Sequence, residues 1–92
     1  MVQEFNEAKN GDSSERGFQT WRKAHQKGYV INSEGKSAML HFADCWHFHD
    51  ETAGVSNTKK PKICSTDRTE LENWASANGV EKIVGCKTCR LG

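Results

Sequence analysis

Cys86-Lys87-Thr88-Cys89 sets two thiols three positions apart, a spacing at which a tight backbone turn aims both sulfurs at one point. Such a pair is half of a tetrahedral zinc site and holds no ion alone, so the remaining ligands must come from upstream. The chain offers Cys45, Cys64, His25, His41, His47 and His49 for that role. Any fold of this sequence has to bring a distant segment back to the Cys86–Cys89 turn.

Size explains why a staple is needed. The 92 residues make one domain, and a chain of this length buries only about two-thirds of its unfolded surface. Only 35% of the residues are hydrophobic, and the mean hydropathy is -0.81. Small polar chains of this kind rely on disulfides, a metal or a partner subunit. The four cysteines would allow two disulfides. However, no apolar run resembles a signal-peptide core, and no segment approaches the ~20 apolar residues of a membrane span. The expectation is therefore a cytoplasmic protein without membrane contact, with reduced thiols and Zn2+ as its cofactor. A net charge of +1 excludes a polycation, so any hold on nucleic acid has to come from a local patch.

Cys86 and Cys89 are the firmest ligands, and Cys45, opening an irregular stretch, is the next. The fourth is His41 or Cys64. His41 and Cys45 have three residues between them and can converge across a turn. Cys64 precedes a predicted helix, whose dipole would lower a thiol's pKa and favour the thiolate. His47, His49 and Asp50 form a second constellation, flanked by Trp46 and Phe48. Its plainer reading is a loop whose aromatics pack on the zinc site while the histidines face water.

Residues 1–16 are read as a flexible lead-in with Phe5 docked on the body, and residues 17–92 as a single zinc-stapled α+β domain. Residues 17–27 fit a short helix with Phe18, Trp21, Ala24 and His25 on one face, and Gly28 supplies a left-handed stop. Residues 29–43 read as a hairpin. Lys62-Ile63-Cys64 is a short strand or turn. A helix over 66–78 follows, with Asp67 and Glu70 as a capping pair, Ser65 or Thr66 as alternative caps, and Gly79 as its terminator. Val80 to Val84 reads as a strand. The expected fold is a small antiparallel sheet with two helices, Trp21 and Trp74 both packing on one face of it.

Taken together, Gly28-Tyr29-Val30-Ile31-Asn32, Met39-Leu40-His41-Phe42-Ala43-Asp44-Cys45, Lys62-Ile63-Cys64-Ser65, Leu71-Glu72-Asn73-Trp74-Ala75 and Cys86-x-x-Cys89 resemble small uncharacterised bacterial modules. Those modules occur alone or beside restriction- and defence-type proteins. The resemblance covers residues 18–89 and implies a prokaryotic or phage protein that works near DNA in a defence-related setting.

Three functions compete. The first is a nucleic-acid module, with DNA favoured. Lys59, Lys60, Lys62 and Arg68 would contact phosphates, and Trp46 would stack on bases. Arg22, Lys23, Lys27, Lys87 and Arg90 would extend that surface. The second is a protein-interaction module, an inhibitor or adaptor subunit, suggested by three tryptophans in 92 residues. The third is a metal-dependent nuclease using His47, His49 and Asp50, although no second acidic cluster accompanies them.

Overall fold

The computed structural model describes residues 2–11, 13–45 and 61–86. Over these the chain runs β1 (Gln3–Phe5), α1 (Glu7–Asn10), α2 (Ser13–Ala24), β2 (Tyr29–Glu34), β3 (Ser37–Phe42), β4 (Lys62–Ser65), α3 (Arg68–Ala77) and β5 (Lys82–Gly85). The class is α+β, as expected.

The β-rich runs on either side of Gly35-Lys36 pair as an antiparallel hairpin, from Glu34↔Ser37 to Tyr29↔Phe42. β4 lies antiparallel on the other side of β2, with Val30 opposite Cys64 and Ile31 opposite Ile63. The strand order among the described residues is β1-β4-β2-β3-β5. β5 joins β3 in parallel, so the sheet is mixed where the sequence suggested an antiparallel one. The reason is the connection: a hairpin reverses chain direction, whereas α3 carries the chain back across the sheet and sends β5 the same way as β4.

Side chains alternate between faces along each strand, so Val30 and Ile31 point to opposite layers. Val30 and Cys64 pack with Phe18 and Trp21 of α2. Ile31, Leu40 and Ile63 pack with Leu71 and Ala75 of α3. Val30, Ile31, Ile63 and Cys64 are all fully buried, because the sheet is covered on both sides. Full burial of Phe18 and Leu71 contributes roughly 1.5–3 kcal/mol each. Trp21 is buried in the α2 layer and Trp74 half-buried in the α3 layer, so the two tryptophans do not share a face. The expectation of a common face fails because the helices sit on opposite sides of the sheet.

The N-terminal residues are not a bare lead-in. Gln3–Phe5 pair with β4 at the sheet edge, and Phe5 meets Phe18 with ring centroids 6.0 Å apart. α2 begins at Ser13, earlier than its apolar spacing suggested, and ends at Ala24, leaving Ala24 and His25 exposed. α3 is capped at Asp67, whose carboxylate accepts from Thr69 N at 2.9 Å. Its C-terminus closes with Val80 N donating to Ala75 O (2.9 Å) and Gly79 N to Ser76 O (3.3 Å), around Gly79 at φ +79°. This double bond is the Schellman arrangement, with Val80 adding its apolar contact to the α3 layer.

Gly28 does not act as the left-handed stop, since its φ is not positive. It is required for close packing. A Cβ there would lie 2.8 Å from Trp21 Cη2 and 3.0 Å from His25 O. Gly28→Ala is expected to cost about 1–3 kcal/mol by overpacking. The midpoint of urea denaturation checks this, and an unchanged midpoint would show that the indole moves aside freely.

Candidate metal centre

Three of the expected ligands come together at one end of the β3–β5 pair. Register places Leu40 beside Gly85, so His41 and Cys86 occupy the next step of two parallel neighbours and share a face. Cys86 N donates to Leu40 O at 2.9 Å, which carries the ladder one residue past β5. After β3 the chain turns sharply, Cys45 N donating to Phe42 O at 3.0 Å, and this returns Cys45 to the same face. The ligand atoms of His41, Cys45 and Cys86 all lie within 4.8 Å of one another. Ligands around a tetrahedral zinc sit about 3.8 Å apart when sulfur is the donor, so contraction by at most about 1 Å would close the group on an ion.

The chemistry of the donors fits a metal. All three residues are buried. His41 Nδ1 is buried and makes no hydrogen bond, while the residue as a whole is engaged by its neighbours. A buried ring nitrogen in that state carries a desolvation cost that coordination would remove. The three described cysteines are not joined to one another by disulfides. The group can hold a metal ion.

Cys64 does not belong to this group. It shares the α2 face with His41, but Val30 lies between them, opposite Cys64 on one side and His41 on the other. Two strand spacings amount to about 9.6 Å between backbones. Burial pushes the Cys64 thiol's pKa far up, and the nearby Lys62 charge only partly offsets it. The helix dipole expected to lower this pKa is ineffective, because Cys64 faces α2 whereas α3 covers the other side of the sheet.

The expected basic surface is only partly assembled. Lys62 is not in an exposed loop. It lies in β4, is 5% exposed, and donates from Nζ to Asn32 Oδ1 at 3.2 Å. Arg68 is exposed at the start of α3, with Glu72 3.8 Å away. Trp46, His47, Phe48, His49, Asp50, Lys59, Lys60, Lys87, Cys89 and Arg90 lie outside the described residues.

Arg22 also departs from its expected place on an exposed patch. It is 4% exposed, on the sheet-facing side of α2. Its Nε donates to Gln19 Oε1 at 2.9 Å, and Gln19 Nε2 donates in turn to Glu15 at 2.9 Å. Its Nη1 donates to Ala43 O at 3.4 Å and lies 3.7 Å from the Asp44 carboxylate. The Glu15, Gln19, Arg22 spacing of four and three residues marks one helix face and was a readable signal for this network.

Comparisons with protein families, with curated proteins and with solved structures return no match, and so none bears on the resemblance to defence-associated modules. Among the described residues, no helix is long and apolar enough to cross a membrane.

Two of the three buried thiols, Cys64 and Cys86, should behave differently. Cys86→Ser is expected to lose bound metal, whereas Cys64→Ser should retain the wild-type metal content and lose only some packing. Elemental analysis of protein purified without chelator distinguishes them; metal loss in Cys64→Ser would place that thiol in the site.

Proposed function

We propose that this chain is a zinc-stapled module whose metal serves the fold and whose ligand is single-stranded nucleic acid. The observation that carries the metal reading is the convergence of three buried ligand atoms from His41, Cys45 and Cys86. Zinc suits this donor set, and the Cys86-x-x-Cys89 spacing supplies Cys89 as the fourth ligand. Four protein ligands leave no open position for water or substrate, so the centre is structural and not catalytic. Zinc would tie the β3 turn to the end of β5 and contribute on the order of 10 kcal/mol of apparent folding free energy.

The nucleic-acid reading now rests on α2 in place of the residues around Lys62. Arg16, Thr20 and Lys23 are exposed along one side of the helix, and Lys27 is exposed just beyond it. Beside Arg16 a groove between β1 and α2 is lined by exposed His25, half-buried Phe5 and the largely buried Trp21, whose ring lies 4.9 Å from that of His25. Arg16 lines this groove, and Lys23 and Lys27 line a neighbouring cleft that shares His25; cations beside aromatic walls suit a phosphate backbone whose bases are unstacked. With a net charge of +1, electrostatic attraction has to come from a local patch, and among the described residues α2 offers one. A protein partner is the second reading. It is favoured by Met39 and Val84, which are paired by register on the α2 face and are each 40% exposed.

Chelation should unfold the domain, and zinc should restore it, as followed by circular dichroism. Persistence of the native spectrum after complete metal removal would overturn the structural role. For the ligand, contact with three phosphates of a single strand predicts a log–log salt slope of about -2. Replacing Arg16, Lys23 and Lys27 together with Ala should flatten that slope toward zero with the fold intact, as measured by fluorescence anisotropy of a labelled oligonucleotide. If the wild type binds neither single- nor double-stranded DNA or RNA at low salt, the ligand is not nucleic acid. The zinc reading is unaffected by that result.

A further inference from the structure

We infer that Arg22 is a positioning residue of the metal centre, acting from α2 to hold the His41–Cys45 turn in its ligating shape. The inference rests on the metal reading above. His41 and Cys45 are joined by Phe42-Ala43-Asp44, and the Arg22 Nη1 group meets both the Ala43 carbonyl and the Asp44 carboxylate. Two of the turn's N–H groups are already engaged: Ala43 N donates to Gly28 O at 2.9 Å and Cys45 N to Phe42 O at 3.0 Å. Arg22 supplies the complementary restraint on the carbonyl side.

The guanidinium is itself held firmly. It is 4% exposed, and a buried cation has few places where its donors are satisfied. Gln19 fixes its other end, and Glu15 fixes the orientation of the Gln19 amide. A chain of polar contacts thus runs from the first turn of α2 to the segment between two ligands. Residues that hold ligands in this way commonly change metal affinity by about 10- to 100-fold when replaced.

Cobalt(II) and zinc titrations of the metal-free full chain test this, using wild type, Arg22→Gln, Arg22→Lys and Phe18→Leu. Cobalt reports tetrahedral thiolate coordination through its visible absorption, and zinc competition gives the zinc affinity. Phe18→Leu is the control for general destabilisation, because Phe18 is buried on the same helix and packs in the same layer. Arg22→Gln is expected to weaken zinc by about 10- to 100-fold and to alter the cobalt spectrum. Arg22→Lys should fall between it and wild type. Phe18→Leu should lower stability with the cobalt spectrum unchanged. Wild-type affinity and spectrum in Arg22→Gln would overturn the inference, as would the same affinity loss and spectral change in Phe18→Leu. Should Arg22→Gln fail to fold, Arg22→Lys decides: a wild-type spectrum and affinity there overturn the proposal, and weaker zinc with an altered spectrum upholds it. A wild-type chain that takes up neither ion refutes the metal reading itself, which is a different result from a metal site indifferent to Arg22.

Discussion

The parallel pairing of β5 with β3 is the constraint on which the rest of the structure depends. β5 spans only Lys82–Gly85 and lies at the sheet edge. Its register alone decides whether Cys86 reaches His41. A slip of one residue would turn Cys86 toward α3 and dissolve the ligand group, because side chains alternate with a period of two. Short edge strands hold register weakly unless something beyond the ladder specifies it. A metal held by His41, Cys45 and Cys86 would do so, since it bonds both strands beyond their last hydrogen bond. Sheet register and metal site therefore define one another.

The two faces of the sheet are built from different chemistry. Ile31, Leu40 and Ile63 meet Leu71 and Ala75 in the α3 layer, and burial there is almost entirely aliphatic. The α2 layer holds three cysteines beside Phe18, Trp21 and Val30, and the same side buries Gln19, Arg22, His41 and Lys62. Polar groups taken from water need partners, and several of these find them within the layer: Lys62 with Asn32, Arg22 with Gln19 and the Ala43 carbonyl. The α3 face is thus the hydrophobic half of a small core. The α2 face carries specificity, and its stability depends on geometry more than on area.

Local chemistry was legible in the sequence. The hairpin about Gly35, the Asp67 cap and the stop at Gly79 each rest on residues within one turn of each other. The ligand triad was legible in part, because His41 and Cys45 are neighbours in sequence and only Cys86 is distant. Non-local consequences were not legible. Nothing in Val80 to Val84 states whether the strand will run parallel or antiparallel; the crossover length of α3 decides it. Trp21 and Trp74 each lie on an apolar stripe, but a stripe does not say which side of a sheet it will cover. Lys62 and Arg22 looked like surface cations because charge is usually solvated. Lys62 is drawn inward by Asn32 across the strand pair, and Arg22 by a carbonyl and a carboxylate from a turn far along the chain. Only tertiary contacts could reveal such partners.

Burial of the ligands bears on when a metal is acquired. His41, Cys45 and Cys86 are at most 4% exposed, so a finished fold offers an ion no direct approach. The ligands lie on two segments, the turn after β3 and the end of β5, and α3 with its crossover is laid down between them. The first segment is local and can form with the hairpin, assisted by Arg22 once α2 docks. The second arrives only after the chain has crossed the sheet. His41 and Cys45 could meet an ion from the first segment, and Cys86 would join them only when β5 completes the sheet. Capture of the proposed ion would therefore be coupled to closure of the edge strand, and its binding free energy would count as folding free energy.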